Sequence, residues 1–294
     1  MRTRIKGQKP KGNGPRAESA ETGIPSPVPG APDEKILRWL HSARIPGEDR
    51  ERILKFASSG LPVFLLGEEG TGKGEVAKAI HFLGSWKNHP FLHLSCRKLA
   101  SPKFVERLSL WGKDRGPGEK VSLALYLEDA ENLDEDLQTL LLDLLTDQKV
   151  HWPGLEELSF HVQVISSSCS SLAEAVTEKK FREDLFRTLE TLSIHLAPLR
   201  DRKEDIPRLA REILQERYPE GEGGKDFSAE ALEALQKYDW PGNLPELESV
   251  VFRSAALRDG NLLDSGDLVF SPSSGPMGQR TPPGAEKDSW FDVT

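Results

Sequence analysis

LPVFLLGEEGTGKGEVAKAIHFLG, residues 61–84, is the stretch whose reading decides the fold. Its first six residues, LPVFLL (61–66), are almost wholly apolar and of strand length, so they read as a strand buried on both faces. Gly67, Glu68, Glu69, Gly70, Thr71, Gly72 and Lys73 follow, and GKGEVAKAIHFLG then repeats its apolar residues at helical spacing. Strand, glycine-rich loop, lysine and helix in that order form the context of a phosphate-binding loop. The glycines let backbone N–H groups curl around an anion without a Cβ in the way. The helix N-terminus adds its free N–H groups and dipole. Lys73 is placed to meet the β- and γ-phosphates of a nucleotide. The general pattern next asks for Ser or Thr, whose hydroxyl binds Mg²⁺. Gly74 stands there instead, so that ligand is absent.

Outward from this stretch, strands and helices alternate. FLHLS (91–95), VSLALYLE (121–128), HVQVISSS (161–168) and TLSIHL (191–196) read as further strands, each apolar on both faces, and 135–145 reads as a helix. That pattern predicts an α/β fold with a parallel sheet covered on both sides. Ahead of the loop, Ile36, Leu37 and Leu40 recur at helical spacing, and a second helix starts near Glu48 with Ile53, Leu54 and Phe56. From Asp201 the character changes to helix: 201–218, 228–238 and 245–257, with DLVF (267–270) as the one short strand. The expected division is a disordered basic, Pro/Gly-rich tail over 1–33, an α/β nucleotide-binding core over 34–202, a small all-helical subdomain over 203–263 and a mostly disordered tail over 264–294.

Bulk properties narrow the class. The chain has 294 residues, a net charge of −8, and 37% hydrophobic and 29% charged residues, the composition of a soluble globular protein. No apolar run approaches the ~20 residues of a membrane helix, and the basic N-terminus has no apolar segment behind it, so no secretory signal is read. Cys96 and Cys169 form neither a disulfide framework nor a zinc pattern; as reduced thiols they place the chain in the cytoplasm. The overall acidity argues against a nucleic-acid protein. Arg2, Arg4, Lys6, Lys9, Lys11 and Arg16 are the exception: a solvated tail or an arm that touches phosphates, both readings open.

The second candidate site is acidic. LALYLED (123–129) ends in Glu128 and Asp129, at the carboxyl edge of a predicted parallel strand where α/β proteins bind ligands. One carboxylate, Glu128, is expected to hold Mg²⁺ and the other to polarise an attacking water.

With these motifs in hand, the chain resembles the sigma-54 interaction domain of bacterial enhancer-binding transcription activators, over about Pro62 to Leu257. GEEGTGKGEVAKAIH (67–81) looks like that family's phosphate loop and HPFLHLSC (89–96) like its PFVxVNC. FREDLFRTL (181–189), PLRDRKEDIPRLA (198–210) and YDWPGNLPELESV (238–250) follow in the family's order. The resemblance implies a P-loop AAA+ αβα sandwich with a helical lid, ATP held between subunits of a ring, and remodelling of sigma-54 polymerase.

The departures from the pattern are as specific. LWGKDRG (110–116) resembles the lead-in to the GAFTGA loop that contacts sigma-54, but the chain then runs almost directly into the strand at Val121 and the loop itself is missing. The family's Asp-then-Glu pair is inverted to Glu128 and Asp129, and a misplacement of ~1 Å can cost on the order of 10²-fold in rate. The asparagine before the cysteine is Ser95. The sensor asparagine is Cys169, preceded by Ser168. Of two arginines supplied in trans, one matches Arg182; the other falls on Thr188, with Arg187 one residue early. The lid arginine is Pro245. Fold-shaping residues are kept while those facing the γ-phosphate or the polymerase are changed. Neither flank is long or apolar enough for a sensory or helix-turn-helix domain. The expected function is an ATP-binding, transcription-regulatory AAA+ protein with weak or absent hydrolysis, acting by self-association or in mixed rings with related subunits. Two alternatives stay open: an active ATPase that remodels another client, and a scaffold whose phosphate loop binds nothing.

Overall fold

A computed structural model of the chain describes residues 34–112, 120–150, 158–219 and 224–270. The two tails, 1–33 and 271–294, and residues 113–119, where the activator loop would be inserted, lie outside the described residues. The architecture is a P-loop AAA+ αβα sandwich followed by a helical lid.

Five strands form one sheet: β1 (Val63–Leu66), β2 (Phe91–Ser95), β3 (Lys120–Glu128), β4 (Ser159–Ser168) and β5 (Leu192–His195). They lie in the order β2-β3-β4-β1-β5 and every pair is parallel. Side chains alternate across the sheet with period two, and this sorts the core. Val63, Leu65, Tyr126, Ile165 and Ile194 face one layer, where α1 (Glu34–His41), α2 (Gly47–Ser59) and α3 (Lys73–Leu83) pack. Phe64, Leu123, Leu125, Leu127 and Val164 face the other, covered by α4 (Ser101–Gly112), α5 (Glu135–Thr146), α6 (Leu172–Thr177) and α7 (Glu183–Leu189).

The expectation that every strand is apolar on both faces needs correction at the rims. His93 and Ser95 on β2, and Ser193 and His195 on β5, are exposed. These are the edge strands, and one face of each is left partly uncovered by helices. Only β1, β3 and β4 lie between two strands.

The lid packs α8 (Ile206–Arg217), α9 (Ala229–Lys237) and α10 (Asn243–Leu257) around Leu209, Ile213, Leu235, Leu247 and the fully buried Trp240. The helix expected from Asp201 begins later. Two 3-10 turns, Leu199–Asp201 and Lys203–Asp205, come first, separated by Arg202 at φ −135°, ψ 49°. Arg202 is buried and donates to the carbonyl of Arg44 at 2.8 Å, an anchor that a continuous helix would not provide. Pro207 then sits in the first turn of α8, where its missing N–H costs nothing.

The short strand expected at 267–270 is also displaced. A two-residue ladder forms instead between β6 (Asp226–Phe227) and β7 (Leu262–Leu263). A reciprocal cap between Asp264 and Asp267 turns the chain immediately after β7. Leu268 is buried and the ring of Phe270 stacks on Tyr238, 4.7 Å between centroids, so side chains pack on the lid as far as 270.

Candidate nucleotide site

β1 delivers the loop. Its neighbours β4 and β5 hold it in register, and the N–H of Gly67 donates to Ser168 O at 3.2 Å as the strand ends. A Cβ on Gly67 would stand 2.8 Å from Leu196 O, so only glycine fits where the chain leaves the sheet. Gly70 and Gly72 take left-handed backbone, φ 80° and 99°, which curls the loop. Thr71 is buried and closes the turn by donating from Oγ1 to Glu68 O at 2.9 Å. Among the described residues no side-chain cap bonds the N-terminus of α3 at Gly72, which leaves its first amides open to an anion.

Lys73 is buried. Its ammonium donates to Gly67 O (2.6 Å), Glu68 O (2.9 Å) and Cys169 Sγ (3.3 Å). Around Gly74 nothing lies within 4 Å of where a Cβ would be. Glycine at that position is therefore not a packing requirement.

The lid closes on the loop through the turn that opens α10. Asn243, fully buried at φ 49°, donates to Glu69 O (2.8 Å) and accepts from the N–H of Leu199 (3.0 Å). Leu244 N donates to Gly70 O at 3.1 Å. Arg200 forms a two-pronged ion pair with Glu68, and this hydrogen bonding holds the Glu68 carboxyl below the usual carboxylate range. A Cβ on Gly70 would meet Gly242 O at 2.7 Å and Pro245 Cδ at 2.9 Å. Pro245 thus lies against the loop.

The structure separates the acidic pair. Asp129 has φ 60° and is buried; its Oδ2 takes a 2.7 Å bond from Arg97 Nε, and its Oδ1 lies 3.6 Å from Cys169 Sγ. Through Cys169 it is one side chain from Lys73. Glu128 faces elsewhere: Oε2 is 3.0 Å from His93 Nε2 across the β2–β3 register. Glu131, which sequence reasoning passed over, accepts from Cys169 N at 3.0 Å, and its Oε2 is buried without a partner among the described residues. Donor atoms of Asp129, Glu131 and Cys169 lie within 4.8 Å of one another. Burial pushes the Cys169 thiol up, against the pull of Lys73, so it stays a protonated donor.

The remaining expected positions lie apart. Ser95 is exposed at the end of β2, beside Glu128. Ser168 is spent on its own turn, donating to Ser170 O at 2.6 Å. Arg182 pairs with Asp184 (2.8 Å) and reaches Thr139; Arg187 pairs with Glu183 (2.6 Å). Both arginines border a shallow surface recess, and Thr188 Oγ1 bonds back to Asp184 O within its helix. Arg97 and Glu131 carried no signal beyond lying next to motif residues.

Sheet order, loop geometry and lid define a P-loop AAA+ module. Comparison with known proteins gives the particular family: the "Sigma-54 interaction domain" matches residues 42–195 and the "AAA+ ATPase lid domain" residues 200–281, and the chain belongs to the sigma-54 interaction domain family. It is 32% identical over 218 residues to the DNA-binding transcriptional regulator NtrC of Rhizobium meliloti, covering 70% of this chain and 45% of that one. To the Nif-specific regulatory protein of Bradyrhizobium diazoefficiens it is 33% identical over 234 residues, 75% of this chain and 40% of that one. The chain thus spans less than half the length of these relatives. The crystal structure of NtrX from Brucella abortus in complex with ATP superposes with a TM-score of 0.63 at 25% identity, covering 86% of this chain and 56% of that one. Among the described residues no helix is long and apolar enough to cross a membrane.

Proposed function

We propose that the chain is an ATP-binding, transcription-regulatory AAA+ protein of the sigma-54 activator type with weak or lost ATP hydrolysis, which does not itself remodel sigma-54 polymerase. On this reading residues 34–202 are the nucleotide-binding core and 203–263 the lid. Residues 67–74 cradle the phosphates, with Lys73 leaving its carbonyl partners for the β/γ-phosphates. NtrX supports the ligand class, since a relative of the same fold is described in complex with ATP.

One observation carries the proposal: the phosphate-binding half is built while the carboxylate expected to polarise water is already paired with an arginine. Lys73, the glycine nest and the open start of α3 are in place. Asp129, linked to that lysine through Cys169, is paired with Arg97 at 2.7 Å and is one methylene shorter than a glutamate. A water-activating base needs a free lone pair at the attack position. The donor set still suits a hard cation, because Glu131 Oε2 is buried and unpartnered beside Asp129. We therefore assign Mg²⁺ to Asp129 and Glu131 rather than to Glu128, which is engaged with His93. The ion would neutralise charge on the β- and γ-phosphates. Arg182 is retained as the arginine offered to a neighbour's nucleotide, and Ser95, Ser168, Cys169 and Pro245 as altered sensor positions. Partners on this reading are copies of the chain or related AAA+ subunits.

Isothermal titration of ATP into the wild type and Lys73→Ala, paired with phosphate release at rising protein concentration, tests this. Binding lost in the variant, with phosphate release no higher than the variant's, is the expected pair of results. Release that rises cooperatively with concentration would make the chain a working ring ATPase, and ATP binding unaffected by Lys73→Ala would leave a scaffold.

A further inference from the structure

Helix α1 ends before residue 42, where the match to the family begins, yet it forms a wall of a cavity beside the phosphate loop. The cavity measures about 510 Å³, a size that suits a nucleotide. Gly70 and Gly72 line one side, Leu244 and Pro245 of the lid a second, and Trp39 of α1 a third. Among the described residues that line it, Trp39 is the single aromatic side chain.

The indole is close to the loop and firmly held. Trp39 Cζ2 lies 3.1 Å, and Leu244 Cδ1 3.5 Å, from where a Cβ on Gly72 would stand, so loop, lid and α1 converge at one point. Leu40, the next residue, is buried in the core, and Arg50 donates to Leu40 O at 2.7 Å. Just beyond, the N–H of Ala43 donates to Glu212 of the lid at 2.7 Å. Trp39 itself remains only half-buried. A phosphate chain seated on the loop leaves the rest of the nucleotide to occupy the remaining cavity, where an indole is the largest π-surface available. Stacking on an aromatic face stabilises any base without edge contacts.

We propose that Trp39 is the platform on which the base of a bound nucleoside triphosphate stacks, so that α1 is part of the ligand site. This rests on the nucleotide-binding reading above. The test is titration calorimetry of ATP and of inorganic tripolyphosphate into the full chain, as wild type, Trp39→Ala, Trp39→Phe and Trp39→Leu. Losing one stacked base corresponds to roughly a 5- to 150-fold weakening. Trp39→Ala is expected to lose ATP affinity by that factor and to bind tripolyphosphate within about twofold of the wild type. Phe is expected to keep most of the ATP affinity, and Leu, apolar but without a π-face, to lose it; this pair decides the matter should Ala disturb the folding of α1. ATP affinity unchanged or improved in the Ala and Leu variants, or an equal loss for both ligands, overturns the platform. A wild type that binds neither ligand overturns the nucleotide reading with it, whereas a wild type that binds both while Leu at 39 changes nothing overturns the platform alone.

Discussion

Asn243→Ala should loosen the lid from the phosphate loop, and its cost can be worked out from the contacts. Asn243 is fully buried and spans the two units: Oδ1 receives the buried N–H of Leu199, and Nδ2 donates to Glu69 O. Alanine leaves the Leu199 N–H without a partner, at about 1–3 kcal/mol. The Glu69 carbonyl belongs to an exposed residue and can turn to water, so its loss adds at most about 1 kcal/mol. The backbone there has φ 49°, which asparagine tolerates and alanine does not, for a further ~1–2 kcal/mol. The sum is about 2–6 kcal/mol, a large part of the ~5–15 kcal/mol that stabilises an ordinary domain. Asn243→Asp is the discriminating control. It keeps an acceptor for Leu199 and suits the left-handed backbone, but it loses the donor to Glu69 and brings a second carboxylate toward Glu68, whose Oε2 lies 3.5 Å from Nδ2. It should cost about half as much as alanine at neutral pH. Urea unfolding followed by far-UV circular dichroism reads all three proteins. An alanine variant within ~1 kcal/mol of the wild type, or an aspartate variant as damaged as the alanine one, would refute this account of the clasp.

Three further outcomes are expected. Gly70→Ala should destabilise by about 2–4 kcal/mol in the same urea assay and weaken ATP binding, because the added Cβ meets Gly242 O and the Pro245 ring at a left-handed position. Gly74→Ser should fold at least as well, gaining about 0.5 kcal/mol of helix propensity, since its Cβ enters open space; by restoring a hydroxyl it should make ATP affinity more dependent on added Mg²⁺ in calorimetry. His81 is buried and its Nδ1 has no partner among the described residues, so burial, with a smaller contribution from His89, lowers its pKa from 6.5 to about 4. Between those values the unfolded chain binds the proton more readily than the folded one, so this contribution is complete above pH 6.5 and is lost as pH falls through 4. The loss amounts to at most about 3 kcal/mol, and His81→Phe, set among the rings of Phe82 and Phe91, should flatten that slope in urea midpoints measured from pH 7 to 4.

The sequence by itself determined the fold class, the phosphate loop and the family. These are legible because they rest on local patterns: an apolar run, then glycines where φ must be positive, then a lysine at the start of a helix. The order FRED, EDIP and WPGN is likewise a one-dimensional fact. Glu128 and Asp129 could be found as a pair from their place at a strand end, but not separated. Tertiary structure decided that Asp129 turns toward Cys169 and Lys73 while Glu128 turns toward His93, since a backbone at φ 60° re-aims one side chain and the sheet register holds the other. Arg97, Glu131 and Arg200 join the site only because β2, β3 and the segment after β5 end at the same edge of the sheet. Trp39 reaches Gly72 across 33 residues of sequence, and Asn243 reaches Glu69 across 174. Neither juxtaposition has a local signature, because each depends on how α1 and the lid pack against the loop after the chain has folded.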